Sequence, residues 1–328
     1  MNKKLLSVAI GAALAVSAGV ASADVSWYGK ANVNVIGGDT NGGTDDTILL
    51  DSSGSRIGIN ASEDLGNGIT MKYWHEWRLE TTEGAGFSAA PNSGQWGHRD
   101  NLLSINGDFG SFGGGDIAAP SKVIGAGKLD MFADTVGDMN GGGLISQPAG
   151  AQLRYGNKVG DVSFTLAYAP EDGTADRSWS DGNVMYSSGA IAAGLGFHQS
   201  GDLTHPSFAG GQLINMFVSY TMDNMMFLAG YESVSDVTAT GGNQVTDTGV
   251  DATMFTVGAS FGFDSNTVKA QYTAKDQDGD TGATRIAVGF EHSLAKSTAV
   301  GVHYTTLDPQ ASGADSPSLY DVGMSFSF

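Results

Sequence analysis

Cationic residues recur where a two-residue period puts them on the polar side of extended segments: Lys30, Arg56, Lys72, Arg78 and Arg154 all alternate with apolar neighbours. A guanidinium keeps its charge at any working pH, so arginines placed this way sustain a permanent field across an enclosed space. If the apolar side meets hydrocarbon, these charges must face the other way, because a cation on a lipid face at mid-depth costs roughly 2–4 kcal/mol. Arg56 and Arg154 therefore read as lining a lumen, and Lys72 and Arg78 as solvated in its wider part. Rival chemistry is poorly supplied. Gly258-Ala-Ser-Phe-Gly262 has nucleophile-elbow spacing but lies inside an alternating segment, not on a strand-to-helix turn. The six histidines include no pair at metal-ligand spacing, and His75 falls on an apolar side where a subunit contact or headgroup position accounts for it. Asp276-Gln-Asp-Gly-Asp280 offers oxygen ligands without the downstream glutamate of an EF-hand. Gly127-Lys128 lacks the upstream glycine and following hydroxyl of a phosphate loop. No catalytic residue, metal site or cofactor is expected.

The elements that carry these residues are strands. In Leu319–Phe328, Tyr320, Val322, Met324, Phe326 and Phe328 take one side, and Asp321, Gly323, Ser325 and Ser327 the other. One wholly apolar face ending in a terminal phenylalanine suits a strand between lipid and water. The same alternation recurs over Val25–Ile36, Ser55–Glu63, Ile69–Glu80, His98–Gly107, Phe112–Ile117, Gln152–Asn157, Val162–Ala169, Asn183–Tyr186, Ile191–His198, Gln212–Thr221, Met225–Ser233, Ala252–Phe261, Thr267–Ala274, Thr284–His292 and Thr298–Thr305. With the last strand these make sixteen, joined alternately by short turns and long loops, which predicts an all-β, 16-stranded antiparallel transmembrane β-barrel over 24–328. Within Phe112–Asp116 the glycines erase the parity. Tyr168, Tyr231, Tyr272, Tyr304 and Tyr320 recur at the long-loop ends, where an interfacial girdle belongs.

Lys3 and Lys4, the apolar run Leu5–Val20 and Ala21-Ser-Ala23 read as a signal peptide over 1–23, cleaved before Asp24. No later stretch resembles a membrane helix, so a membrane-spanning chain has to close into a barrel. With no cysteine, disulfides and thiolate sites are excluded. Glycine, 49 of 328 residues, is about twice its usual ~7% share. A formal net charge of −19 argues against nucleic acid as a partner.

At Trp27-Tyr-Gly-Lys-Ala, Ser55-Arg-Ile-Gly-Ile-Asn-Ala-Ser-Glu-Asp-Leu-Gly-Asn-Gly, Gly107-Asp-Phe-Gly-Ser-Phe and Leu153-Arg-Tyr-Gly-Asn, together with the terminal Phe328, the chain resembles the general bacterial porins of Gram-negative outer membranes. The resemblance implies a homotrimer of water-filled barrels among outer-membrane lipid and lipopolysaccharide, each narrowed by an inward-folded third loop, here about 117–150. It further implies a basic wall facing loop carboxylates. Lys30, Arg56 and Arg154 match basic wall positions, and Asp130, Asp134 and Asp138 match the acidic loop positions by spacing, with Ala133 where a proline is usual. Where the family pattern places a wall arginine, this chain reads Gly113-Gly-Gly-Asp116, so Asp116 is expected to turn a constriction charge negative and to favour cations.

The expected function is a passive diffusion channel for small hydrophilic solutes and ions, and not an enzyme. A substrate-selective channel needs a row of inward aromatics, of which only Tyr28 and Trp74 are clear. An outer-membrane hydrolase needs facing Asp, His or Ser residues at the long-loop ends.

Overall fold

The computed structural model describes residues 23–39, 47–52, 54–79, 82, 96–139, 149–170, 178–200, 211–238, 248–277, 282–309 and 316–328. The expected leader lies outside them except for Ala23, as do residues 278–280 of the acidic 276–280 stretch. The strands are β1 (Asp24–Asp39), β2 (Thr47–Asp51), β3 (Arg56–Gly66), β4 (Ile69–Leu79), β5 (Trp96–Gly107), β6 (Gly110–Ala118), β7 (Ala149–Val159), β8 (Val162–Ala169) and β9 (Trp179–Ser188). They continue as β10 (Ile191–Ser200), β11 (Gln212–Met222), β12 (Met225–Thr238), β13 (Thr248–Phe263), β14 (Asn266–Gln277), β15 (Ala283–Ala295), β16 (Thr298–Pro309) and β17 (Ser318–Ser327). Each pairs antiparallel with its neighbours, and β17 pairs with β1 to close the sheet, Lys30 opposite Ser327. The terminal residue completes the seam: Gly29 N–H donates to the Phe328 carbonyl at 2.9 Å, and Phe328 N–H to the Gly29 carbonyl at 3.0 Å.

Seventeen strands make sixteen staves, because β2 and β3 both pair with β1, Asp51 opposite Asn34 and Arg56 opposite Lys30. They are one stave broken at Ser52–Ser55. The Ser55 hydroxyl mends the gap, accepting from Asn32 N–H at 2.8 Å and donating to the Asn32 carbonyl at 3.0 Å. The stretch between the expected strands Val25–Ile36 and Ser55–Glu63 therefore contains a strand, since Ile48-Leu49-Leu50 finds Ile36 and its neighbours to pair with. β9 also starts earlier than expected, at Trp179, because the polar residues Asp181 and Asn183 are buried inside the wall. In β6 the glycines that erase the sequence parity are needed for close approach. A Cβ on Gly113 or Gly115 would collide with the backbone of β5 at Leu103 and Asn101.

The faces divide as the alternation requires. Leu166, Tyr168, Tyr272, Ile286, Val288 and Phe290 are exposed outward, while Ala167, Gln271, Thr273, Arg285 and Ala287 are buried inward. The core thus sits inside the barrel, and residues 119–139 make it. Pro120 starts a short helix α1 (Pro120–Ile124), where its fixed φ suits the first turn, and a π-helical turn, Gly125–Leu129, follows. Ile124, Leu129 and Met139 pack with Phe217, Leu228 and Met254 of β11, β12 and β13. Leu129 lies over Gly230 and Met131 over Gly258, so close that a Cβ at either glycine would collide with them.

Candidate functional site

Polar side chains hold this inner segment along the wall from β9 round to β1. The Ser121 N–H and hydroxyl donate to Asp181 at 2.6 and 2.5 Å, and Asn215 donates to the Ser121 carbonyl at 3.0 Å. Gln271 donates to the Leu129 carbonyl at 2.5 Å and accepts from Met131 N–H at 3.0 Å. Arg285 donates to the carbonyls of Gly137 and Asp138. Val136 N–H donates to Asp321 at 2.8 Å, and His303 bridges Asp321 and Glu291 at 2.7 and 3.2 Å. Asn32 and Asn34 donate to the Asp134 carbonyl. Among the described residues, the inner segment leaves most of the inward arc of β4–β7 uncovered.

That arc is basic. Lys30 and Arg56 stand directly opposite on β1 and β3, and Arg56 stands opposite Arg78 on β4. Like charges in such pairs repel. The Asp134 carboxylate relieves the first pair, 2.7 Å from Lys30 and 3.7 Å from Arg56. Its own backbone is left-handed, φ 65°, and it covers Gly54, φ 76°, whose missing side chain makes room for the carboxylate. Glu76 is the second hub. It accepts from the Tyr28 hydroxyl at 2.9 Å and pairs with Arg99 at 2.9 Å and Arg56 at 3.9 Å. Trp74 donates to the same Tyr28 oxygen, so both inward aromatics are tied into the charge network. Among the described residues neither Arg78 nor Arg154 has an ion pair. Lys122 of α1 extends the basic arc; enclosure lowers its ammonium pKa, with nearby Asp100 opposing.

The expected carboxylates separate into three fates. Asp134 meets the basic wall. Asp130 staples the segment to itself, accepting from Phe132 N–H at 2.8 Å and Met139 N–H at 3.0 Å, while Asp138 accepts from Asp134 N–H at 3.1 Å. Enclosure, reinforced by the charge of Asp138, pushes the Asp130 carboxyl well above the usual carboxylate range. Asp116 is not at the constriction. It follows Phe112 and Gly114 on the outward side of β6, half exposed and 3.8 Å from His98. The expectation that it turns a constriction charge negative does not fit this placement, and the cation preference drawn from it loses that support: the glycine run carries the parity through so that residue 116 points away from the lumen.

Several residues of the site were missed in the sequence. Arg99 reaches Glu76 because a bulge at Glu76/Trp77 shifts the register of β5 against β4, leaving Asp100 opposite Glu76 and His98 opposite Trp77. Nothing in its immediate neighbours signals the bulge. Arg285 and Asp321 were legible as polar-face residues, but their partners lie more than a hundred residues away.

Comparison with known proteins agrees with this architecture. A family model for Gram-negative porins matches residues 10–312. Outer membrane porin protein 32 of Delftia acidovorans is 26% identical over 327 residues, spanning 92% of this chain and 88% of that protein. Among solved structures, an anion-selective porin from Comamonas acidovorans superposes with a TM-score of 0.73 at 21% identity, covering 94% of this chain and all of that one. The trimer form of OmpT from Vibrio cholerae gives a TM-score of 0.67 at 17% identity over 94% and 100% of the two chains. A sixteen-stave barrel with a segment packed inside it, matched along almost its whole length by the family model, belongs to the Gram-negative porins, which are channels of the outer membrane and not enzymes.

Proposed function

We propose that the chain is a passive channel for small hydrophilic solutes and ions, narrowed where residues 119–139 face β3–β7, and that this constriction prefers anions. The observation that carries the reading is the basic arc. Lys30, Arg56, Arg78, Arg99, Lys122 and Arg154 face Glu76, Asp100, Asp134 and Asp138, and among the described residues Arg78, Lys122 and Arg154 have no ion pair. In a narrow passage with low-dielectric walls, charges within a few ångströms outweigh the acidic loops beyond, which salt screens over ~10 Å at 0.1 M. The relative described as anion-selective supports the same sign. Asp134 is in contact with Lys30 and close to Arg56, so that end of the arc is neutralised, and a passing solute feels chiefly the cations without an ion pair. Residues 1–23 act as a cleaved leader in this reading, and the barrels assemble as a homotrimer among outer-membrane lipid and lipopolysaccharide.

The zero-current potential in a planar bilayer under a salt gradient tests the selectivity. An anion-signed potential is expected, falling in Arg154→Gln and unchanged in Asp116→Asn. A cation-signed potential in the wild type overturns the proposal.

A further inference from the structure

The two inward aromatics of the charge network are laid along the wall. Tyr28 of β1 lies across Gly58 of β3, where a Cβ would collide with the end of its ring. From there its hydroxyl donates to Glu76 at 2.9 Å and accepts from the Trp74 indole N–H. Arg99 holds Glu76 at 2.9 Å, so the edge of the indole is tied, through two hydrogen bonds, to an ion pair of the wall. Trp74 stays partly exposed, between the exposed Asn60 on β3 and the partly exposed, apolar Leu102 on β5. Lys72 precedes it by two residues on the same inward side of β4, ~7 Å along the strand. Only serines stand opposite Lys72, Ser62 on β3 and Ser104 on β5. Its ammonium is exposed and, among the described residues, has no ion pair. The group lies between the constriction and the short turn that joins β3 to β4.

We propose that Trp74 and Lys72 form a binding site for a single-ring aromatic carboxylate, its ring stacked on the indole and its carboxylate on the ammonium. The inference rests on the anion-channel reading and adds to it a class of solute. A flat apolar face beside an accessible cation is answered only by a ligand that carries both a ring and a negative charge. A neutral sugar leaves Lys72 unanswered, and a chain of sugars needs successive aromatic faces. An aliphatic anion meets Lys72 and leaves the indole bare. Glu76, on the other side of Trp74, is already engaged by Arg99 and Tyr28, so the anion is directed to the Lys72 side. The spacing suits one ring bearing one carboxylate, since the flexible four-carbon stem of lysine covers the remainder. Because the indole edge is already tied, little of its freedom is lost when a ring stacks on its face.

Chloride current through single channels of the full protein in a planar bilayer, titrated with benzoate and separately with acetate, tests the site. Benzoate is expected to block the wild-type current saturably, and acetate at the same concentrations is not. Trp74→Gln and Lys72→Gln should each weaken the benzoate block about fivefold, the size of one aromatic stack. Trp74→Phe keeps a ring and should retain most of the block. Only folded channels conduct, so a weaker block reports the site and not misfolding, and if Trp74→Gln yields no channels, Lys72→Gln decides. Equal block by benzoate and acetate in the wild type, or a block unchanged in the glutamine variants, overturns the inference. The zero-current potential in chloride alone keeps the two readings apart: an anion-signed potential without benzoate block sinks the site only, whereas a cation-signed potential sinks the anion preference on which it rests.

Discussion

Asp134 concentrates most of what the inner segment contributes at the scale of a single residue. It neutralises two opposed cations, and its left-handed backbone aims the tip of the segment at the gap in the broken stave. Asparagine tolerates that backbone without the charge, so Asp134→Asn should leave the fold intact, cost about 0.2–1 kcal/mol for the partly exposed pair, and raise anion preference in the zero-current potential. Asp130 makes a different prediction. Its folded pKa lies above that of an exposed carboxylate, so its contribution to docking is complete below the ordinary carboxylate range near 4 and is lost as pH rises through the folded value. Thermal unfolding followed against pH should show stability falling across that window in the wild type and a flatter profile in Asp130→Asn. At this scale the sequence revealed which residues are charged and which side of a strand they take. It did not reveal partners: the pairing of Lys30 with Asp134 spans 104 positions, and only the path of the inner segment brings them together.

Strand alternation made the staves legible because lipid outside and polar groups inside impose opposite demands on successive residues. Legibility failed wherever something other than that alternation governs the backbone. β2 hides in a loop because its pairing spans only a few residues, and β6 hides its parity because glycine has no side to read. The error at Asp116 came from the second case. Gly115→Val puts a side chain against the Asn101 carbonyl, and should abolish recovery of folded barrel from denaturant, measured by heat-modifiable gel mobility. The same substitution at Gly114, where a Cβ meets the end of the flexible Leu153 side chain at 3.1 Å and the Gln152 carbonyl at 3.3 Å, should lower refolding yield less than Gly115→Val does.

Taken whole, the molecule keeps its densest apolar packing where a tube would be hollow, between the inner segment and β11–β13. Closure of the wall and position of the segment are therefore separate matters. The seam bonds of Phe328 serve the first, and Leu129 and Met131 seated over Gly230 and Gly258 serve the second. Those two glycines are sockets, and the depth of a socket sets how far the segment stands off the wall. A single methyl group in either would act like a shim behind a sliding gate, so Gly230→Ala and Gly258→Ala should lower single-channel conductance with the sign of selectivity unchanged. The gauge of the channel is in this sense written on the far wall, among residues that no permeating ion ever meets.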